Sequence, residues 1–223
     1  MSNEPDHILP AKISSISVQK KNKERYSLFA DDKFLIGVSE STLIDLDLRK
    51  GVLVTPSLFR KIQKAEGRFA VKSYMMKLLA RRDHARRELY NKAIKKDYPK
   101  ETITSVIDEL EEMGYIDEKA FAQKYAADKS HLNQWGPTKI RAHLYKKGIK
   151  ESYIDEGIRK TFEDIDLREM FFNLVLKRKR RFLREEDSYK RKKKVFNYLN
   201  QKGFKSNSIF KHLDELMEAI TDE

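Results

Sequence analysis

Apolar residues recur with one spacing at three places along the chain, and this repeat is the clearest pattern in the sequence. The middle copy has six marker positions: Ile140, Leu144, Gly148, Ile149, Ile154 and Ile158. The later copy keeps the same offsets with Val195, Leu199, Gly203, Phe204, Ile209 and Leu213. The earlier copy keeps them with Leu89, Ala93, Asp97, Tyr98, Ile103 and Ile107, so an aspartate takes the glycine place. Each copy predicts a helix, a stop at the glycine position and a second helix.

The distance between copies predicts the architecture. Successive copies lie 51 and 55 residues apart, near the length of a three-helix module and within the range typical of repeat proteins. Such a unit does not bury its apolar face alone, so neighbouring units are expected to stack. We predict a mainly α fold of three tandem three-helix repeats in an elongated curved array, with a small N-terminal β-hairpin or sheet. The predicted segments are 1–54 for the N-terminal tail and hairpin region, 55–116 for repeat 1, 117–165 for repeat 2 and 166–223 for repeat 3.

The N-terminal region has the alternating pattern of strands. Two β-prone runs between residues 26 and 38 flank Asp31 and Asp32, which indicates a hairpin. We expect a small antiparallel sheet of two or three strands. Residues 1–10 lack periodicity and are predicted to form a loose tail.

Polar residues, prolines and glycines indicate where helices begin and end. The predicted helix starts are Ser39, Thr55-Pro56, Asp83, Pro99, Asp117, Gly136-Pro137, Asp166 and Ser206, because such residues cap a helix or occupy its first turn. Gly67 lowers helix propensity within the first long helix and is a candidate break.

The composition fits helices with large solvated faces, since 39% of the 223 residues are apolar and 37% are charged. The absence of cysteine excludes a disulfide framework and thiolate metal sites, and it suits a reducing cytosol. No N-terminal apolar run is long enough for a signal peptide or a membrane span. We therefore expect a cytoplasmic protein without a membrane partner.

The net charge of +12 is unevenly distributed. Residues 177–194 contain eleven Lys or Arg against three acids, whereas residues 101–118 contain seven acids and no base. This polarity is typical of a protein with one face for a polyanion and another for protein or solvent. For the acidic face of the helix after Pro99, both a basic partner surface and mere solubility stay open.

Basic residues are the candidates for nucleic-acid or filament binding. Lys177, Arg178, Arg181 and Arg184 share a helical stripe, and a second cluster brackets the start of the next helix. The full set is Arg81, Arg82, Arg86, Arg87, Lys139, Arg141, Lys146, Lys147, Lys177, Arg178, Arg181, Arg184, Lys190, Arg191, Lys193 and Lys194. A solvated face is the alternative, but so concentrated an excess repels itself unless a polyanion neutralises it. Five phosphate contacts predict an affinity loss of roughly two to three orders of magnitude between about 50 and 200 mM salt.

Nothing in this set predicts recognition of base edges, so any nucleic-acid binding is expected to be weakly sequence-specific. Trp135 precedes the Gly136-Pro137 turn. It is either a wedge that fixes the turn, which we favour, or a residue that stacks on a base.

No catalytic signature is found in the sequence. The histidines are scattered without the paired spacing of a zinc site, and we expect surface or turn positions for all five: His7, His84, His131, His143 and His212. The glycines stand singly at helix ends and form no phosphate loop. We expect no enzyme, no cofactor and no metal. A nuclease that uses metal-bound carboxylates stays as a minor alternative.

Three motifs resemble those of a known family. The runs GYIDEKAFAQKYA (114–126), GPTKIRAHLYKKGI (136–149) and YLNQKGF (198–204) are together similar to the RecX family of bacterial recombination regulators. The resemblance extends over residues 73–216, and the N-terminal hairpin is similar to that of longer members. Ala93 and Asp97 depart from the usual leucine and glycine of the family pattern.

The resemblance implies a fold of tandem three-helix repeats and an activity without catalysis. It implies binding to the RecA recombinase filament on DNA and restraint of strand exchange, ATP turnover and co-protease action, hence a role in recombination, DNA repair and the SOS response. The expected partners are this filament and single- or double-stranded DNA, and we expect a monomer. An autonomous, non-specific DNA- or RNA-binding protein is the main alternative.

Overall fold

The chain begins with a small sheet, as the alternating pattern indicates. The computed structural model describes residues 9–20 and 22–221, so the predicted tail lies mostly outside the described residues. The strands are β1 (Ala11–Val18), β2 (Arg25–Ala30), β3 (Lys33–Ser39) and β4 (Leu53–Val54), in the antiparallel order β3-β2-β1-β4. The expectation of two or three strands is wrong, because Leu53–Val54 pairs with the start of β1.

The predicted hairpin turn is confirmed. Asp31 and Asp32 have φ angles of 49° and 57°, as required by a two-residue turn in which both central residues are left-handed. Ser39 then caps α1 (Glu40–Asp45) by accepting a hydrogen bond from the amide of Thr42.

The first long helix, α2 (Pro56–Leu79), begins where the sequence indicates, since the hydroxyl of Thr55 accepts from the amide of Leu58 at 3.2 Å. The helix runs through Gly67 without a break. Its buried residues on both sides of this glycine, among them Ile62 and Val71, hold the helix together through packing.

The remaining helices follow the predicted repeat. The first copy of the motif lies on α3 (Arg86–Ile94) and α4 (Lys100–Glu112). The second repeat contains α5 (Glu118–Asn133), α6 (Pro137–Lys146) and α7 (Glu151–Phe162). The third contains α8 (Leu167–Leu176), α9 (Lys179–Leu183), α10 (Ser188–Lys202), α11 (Ser206–Phe210) and α12 (Leu213–Thr221).

The helix stops of the three copies have one geometry. Asp97, Gly148 and Gly203 have φ angles of 59°, 83° and 98°. The amide after each stop donates to the carbonyl five residues earlier, with the acceptors Ala93, Leu144 and Leu199 at 3.4, 3.2 and 3.3 Å. This is the Schellman arrangement. Asp97 thus performs the role of the glycine.

One predicted helix start, at Asp83, and one predicted cap, at Ser206, are wrong. The helix after Asp83 begins only at Arg86. Pro99 directly precedes α4, and its carbonyl accepts the first helical hydrogen bond, from the amide of Ile103 at 3.0 Å. Ser206 does not cap α11, which has Lys205 at the cap without a side-chain hydrogen bond, and the last segment divides into α11 and α12. The described residues of the third segment therefore contain five helices, of which α9 and α11 have five residues each. By contrast, Asp117 and Asp166 cap α5 and α8 as predicted.

The chain divides into two compact units, with boundaries within α3 and α4. The first comprises the described residues up to Arg82 and Leu89–Leu110; the second comprises Asp83–Glu88 and the residues from Glu111 onward. In the first unit, a core of Ile13, Leu28 and Phe59 joins the sheet to the start of α2. The bounds of the four predicted segments and the curvature of the array stay predictions.

The second unit has two apolar cores. One surrounds Ile140 and Leu144 on α6, and the other surrounds Val195 and Leu199 on α10. Phe162, at the end of α7, packs against both cores. The second and third repeats are therefore joined through a shared apolar contact.

Candidate nucleic-acid interface

The candidate cations have different local roles, and some serve the fold. Lys147 places its Nζ 2.7 Å from Glu88 Oε1, with 22% and 19% of the two side chains exposed. The same ammonium lies over the rings of Phe121 and Tyr125. Arg87 packs its aliphatic part against Gly148. Both candidates therefore fix the end of α6 to the first turn of α3.

Acids within the chain neutralise further candidates. Arg86 pairs with Glu111, and Arg141 pairs with Asp155. The acidic face of α4 is partly occupied in the same way, since Glu109 contacts Arg68 and Lys72. The hydrogen bond from Lys72 is the main reason that the pKa of Glu109 lies below its ordinary value. Glu109 and Glu111 are thus engaged within the chain, while the two interpretations of the acidic face, a basic partner surface and solubility, stay predictions.

The cluster at the start of α10 is also largely engaged. Arg191 donates to the backbone carbonyls of Glu185 and Glu186 at 2.9 and 3.1 Å. Lys194 lies 2.6 Å from the carboxylate of Glu185, and this hydrogen bond lowers the pKa of Glu185. Lys190 is 4.0 Å from the carboxylate of Asp187. Lys193 is exposed and forms no ion pair with a described residue.

The cluster between α8 and α9 is different. The chain bends between Leu176 and Lys179, so the predicted stripe does not lie on one continuous helix. Four candidates nevertheless line a single open concavity of about 710 Å³: Lys177, Arg178, Arg181 and Arg184. All four are exposed, and none forms an ion pair within the described part of the chain. These four cations are therefore available together to an external anion.

A second cavity, of about 310 Å³, lies between α9 and α10. We call it the α9–α10 groove; its polar lining is Arg178, Arg181, Lys194, Asn197, Tyr198 and Gln201. The guanidinium carbon of Arg178 lies 4.4 Å from the centre of the Tyr198 ring. Such a contact holds the cation in position without neutralising it.

A further group of cations lies where α5 and α10 end and α6 begins, and of this group the sequence analysis named only Lys139. Lys202 donates to the carbonyl of Asn133 at 2.9 Å, and Lys139 lies 4.6 Å above the ring of Trp135. Lys129 lies 5.4 Å from the centre of the same ring. Lys202 has the same repeat position before Gly203 that Lys147 has before Gly148, and this correspondence is the signal that identifies it in the sequence.

These cations act on one another. Burial, followed by the positive charges of Arg178, Lys139 and Lys177, lowers the pKa of Lys202. Burial and the neighbouring lysines lower the pKa of His143 in the same way. Positive charges thus repel one another where the second and third repeats meet, and an anion there would relieve the repulsion.

The interpretation of Trp135 as a wedge is favoured. Its ring is half-buried, lies 4.6 Å from the imidazole of His143 and packs on the core of the second repeat. Lys139 occupies one side of the ring. The ring therefore supports the turn and the lysine.

Arg81 and Arg82 belong to the first unit and are exposed after α2, and Lys146 is exposed on α6.

Of the histidines, His84 is buried with 4% exposure, contrary to the expectation for surface or turn residues. His7 lies outside the described residues. In the described ranges, no group of three His, Asp or Glu residues is arranged to hold a metal ion, and no helix is long and apolar enough to cross a membrane.

Comparison with known proteins identifies similar chains. Family models match residues 11–55 (regulatory protein RecX N-terminal domain), 72–110 (RecX, first three-helix domain) and 117–158 (RecX, second three-helix domain). The regulatory protein RecX of Limosilactobacillus reuteri (strain DSM 20016) is 32% identical over 213 residues, covering 96% of this chain and 76% of the relative. The protein of the same name from Clostridioides difficile (strain 630) is 28% identical over 207 residues, covering 92% and 95%.

Solved structures agree with these matches. A crystal structure of a regulatory protein RecX is 30% identical, with a TM-score of 0.78 over 92% of this chain and 99% of the other. The structure of RecX from Lactobacillus salivarius is 20% identical, with a TM-score of 0.59 over 70% of this chain and 97% of the other. The second likeness concerns the fold.

Proposed function

Because the chain belongs to the RecX family of regulatory proteins, we propose that it binds the filament of RecA recombinase on DNA and inhibits it. The inhibited activities are strand exchange, ATP turnover and co-protease action. This role belongs to recombination, DNA repair and the SOS response. It needs no catalytic step, takes place in the cytoplasm where the filament forms, and is performed by a monomer.

One observation carries the proposal, namely the unpaired cations that line the concavity between α8 and α9. Lys177, Arg178, Arg181 and Arg184 are exposed together, although many other cations of the chain are paired with carboxylates. Four like charges side by side repel one another unless an anion approaches. A DNA backbone supplies such anions at a regular spacing.

Phosphate contacts position a protein on DNA without reading its sequence. A regulator held in this way acts on the filament wherever it forms, which is what a general inhibitor of recombinase activity needs. We therefore expect weak sequence specificity and strong salt dependence.

The direct test is ATP hydrolysis by RecA on single-stranded DNA with increasing amounts of the protein. We expect slower hydrolysis at a dose below one molecule per RecA protomer. Excess DNA added as competitor controls for simple loss of free strand. Hydrolysis that stays unchanged at every dose contradicts the proposal.

The second candidate, an autonomous DNA- or RNA-binding protein, is favoured by the same unpaired cations, since they need no RecA to bind phosphate. Replacing Arg178 and Arg181 separates the two functions. An autonomous binder loses nearly all activity with these changes, whereas a filament regulator keeps the part that depends on protein contacts. The charge cluster at the start of α10 suits this test less well, because Arg191 and Lys194 stabilise the preceding loop.

A further inference from the structure

The α9–α10 groove has two chemically different walls. Residues 194, 197, 198 and 201 follow one another at helical spacing on α10 and present Asn197 and Gln201 as an amide pair. The facing wall carries Arg178 and Arg181. Solubility alone does not require cations on one wall and neutral amides on the other, so this arrangement favours a ligand with an anionic part and a neutral polar part.

The floor of the groove fixes these walls. The rings of Phe182 and Tyr198 lie 5.8 Å apart, and Phe182 is 5% exposed. Arg178 rests on Tyr198 at 4.4 Å, so its guanidinium is held before any ligand arrives. A pre-positioned cation loses less conformational entropy on binding than a free one.

The guanidinium groups suit a phosphate. Arg178 and Arg181 form no ion pair with residues 9–20 or 22–221, whereas Lys194 on the opposite wall is paired with Glu185. A guanidinium donates two parallel hydrogen bonds to phosphate oxygens, which an ammonium does not do. The anion is therefore expected on the arginine side.

The amides suit an unpaired base. The side chains of Asn197 and Gln201 form no hydrogen bond with any described residue. Each offers a donor and an acceptor side by side, which matches the Watson–Crick edge of a nucleobase. In a duplex that edge is already paired, and single-stranded nucleic acid is commonly recognised through it.

The size of the groove limits its occupant. A volume of about 310 Å³ lies at the lower end of small-ligand sites, which measure roughly 300 to 1,000 Å³. One nucleotide suits this volume, but a base pair does not. Arg178 already covers one face of Tyr198, so recognition depends on the phosphate and the base edge and not on stacking.

We infer that the α9–α10 groove binds one nucleotide of a single-stranded polynucleotide, with its phosphate on Arg178 and Arg181 and its base edge on Asn197 and Gln201. This inference deepens the proposed function and rests on it for the identity of the strand, which is the DNA inside the filament. Lys202 and Lys139, which act electrostatically together with Arg178, extend the path for the adjacent phosphates.

The test measures binding of the full chain to a labelled single strand and to a duplex of equal length by fluorescence anisotropy, at several salt concentrations. The variant R178Q/R181Q is expected to bind the single strand at least about tenfold more weakly. Its slope of log affinity against log salt falls by about 0.7, because the two arginines share one phosphate and each phosphate contact on a single strand contributes about 0.7.

A second variant, N197L/Q201L, is expected to lose roughly fivefold in single-strand affinity with an unchanged salt slope, since it removes hydrogen bonds and no charge. Duplex affinity stays at the wild-type value in this variant. The matched control is K190Q/K192Q, which also loses two positive charges, but from residues paired with Asp187 and Asp214. This control is expected to keep most of the single-strand affinity. Arg181→Gln alone retains the Arg178–Tyr198 contact and replaces the double variant if the latter does not fold.

Three outcomes overturn the inference. The first is an equal loss of affinity for single strand and duplex in the groove variants, which indicates an unspecific phosphate surface. The second is unchanged single-strand affinity in both groove variants. The third is loss of filament inhibition in the groove variants with intact strand binding, which indicates an acidic protein ligand. Inhibition of RecA ATP hydrolysis by the wild type without any strand binding rejects the groove but not the proposed function. Strand binding in the groove without inhibition rejects the proposed function and retains the groove.

Discussion

Gly136 and Gly203 lie backbone against backbone, so that a Cβ on Gly136 would stand 2.4 Å from the carbonyl oxygen of Gly203. The amide of Gly136 donates to the carbonyl of Lys202 at 2.8 Å, and the amide of Thr138 donates to the carbonyl of Gly203 at 3.0 Å. The start of α6 and the end of α10 thereby satisfy groups that helix ends leave without partners. This contact sets the geometry in which Lys139 and Lys202 meet.

Gly136→Ala is predicted to lower the free energy of unfolding by roughly 1 to 3 kcal/mol, because the added methyl displaces backbone that does not yield easily. Chemical denaturation followed by circular dichroism measures this loss. The control is Gly67→Ala, where a Cβ meets nothing within 4 Å and the change is expected to stabilise α2 by about 0.5 to 1 kcal/mol. If both substitutions changed the free energy of unfolding in the same direction, the close backbone contact assigned to Gly136 would be contradicted.

Asp97→Gly is predicted to stabilise the protein by up to about 1 kcal/mol. Asp97 occupies the glycine position of the repeat with a φ of 59°. A residue with a side chain is strained by roughly 1 to 2 kcal/mol in this left-handed conformation. The entropy of glycine in the unfolded chain offsets part of this gain. Thermal unfolding provides the comparison. Gly148→Ala, at the equivalent position with a φ of 83°, should show the opposite sign; a loss of stability in Asp97→Gly speaks against equivalent roles.

Lys147→Met is predicted to cost about 1 to 2 kcal/mol in stability, because it leaves the largely buried carboxylate of Glu88 without this cation. The salt slope of DNA binding should not change, as Lys147 is engaged within the fold. Lys146→Met, at the exposed neighbouring position, serves as the control and leaves the melting temperature unaltered. A reduced salt slope in Lys147→Met would instead indicate a phosphate contact.

Glu66→Gln is predicted to have a pH-dependent effect on stability. Burial alone would raise the pKa of Glu66, but hydrogen bonds from Ser39, Thr42 and Arg25 outweigh it and hold this pKa below the ordinary value. The carboxylate therefore contributes stability above the unfolded-state pKa of about 4.3, and this contribution is lost as the pH falls through the lower folded-state value.

Urea titrations at a series of pH values measure that effect. Near neutral pH, the wild type should exceed Glu66→Gln by about 1 to 3 kcal/mol in free energy of unfolding, and the difference should disappear in acid. Glu101→Gln, on the exposed first turn of α4, is the control and should show no such dependence. A difference for Glu66→Gln that persists unchanged in acid would contradict the role assigned to the carboxylate.

The repeat and its helix stops were predictable because they depend on local features. Three copies of one apolar spacing place Leu89, Ile140 and Val195 in buried positions, and a left-handed stop follows each of them. The two-residue turn at Asp31 and Asp32 was predictable for the same reason. Where tertiary contacts dominate, the sequence was a poorer guide. Packing on both sides of Gly67 keeps α2 continuous, and the pairing of β4 with β1 adds a strand to the sheet.

The positive charge of the candidate site was predictable from the sequence, but the individual cations that are available to a ligand were not. The excess of positive charge in residues 177–194 indicates an anion site, but counting charges does not show which cations are paired. Lys194 turns toward Glu185, whereas Arg178 rests on Tyr198. These partners lie 9 and 20 residues away in the chain, on elements whose relative placement depends on the core around Phe171 and Leu199.

The central claim is that the unpaired arginines of the third repeat engage DNA within a RecA filament. Its most direct test is ATP hydrolysis by RecA on single-stranded DNA, titrated with the wild type, with R178Q/R181Q and with the charge-matched K190Q/K192Q. We predict half-maximal inhibition at a similar dose for the wild type and K190Q/K192Q, and at a dose at least about tenfold higher for R178Q/R181Q. Equal inhibition by all three proteins, or none by the wild type, would contradict it.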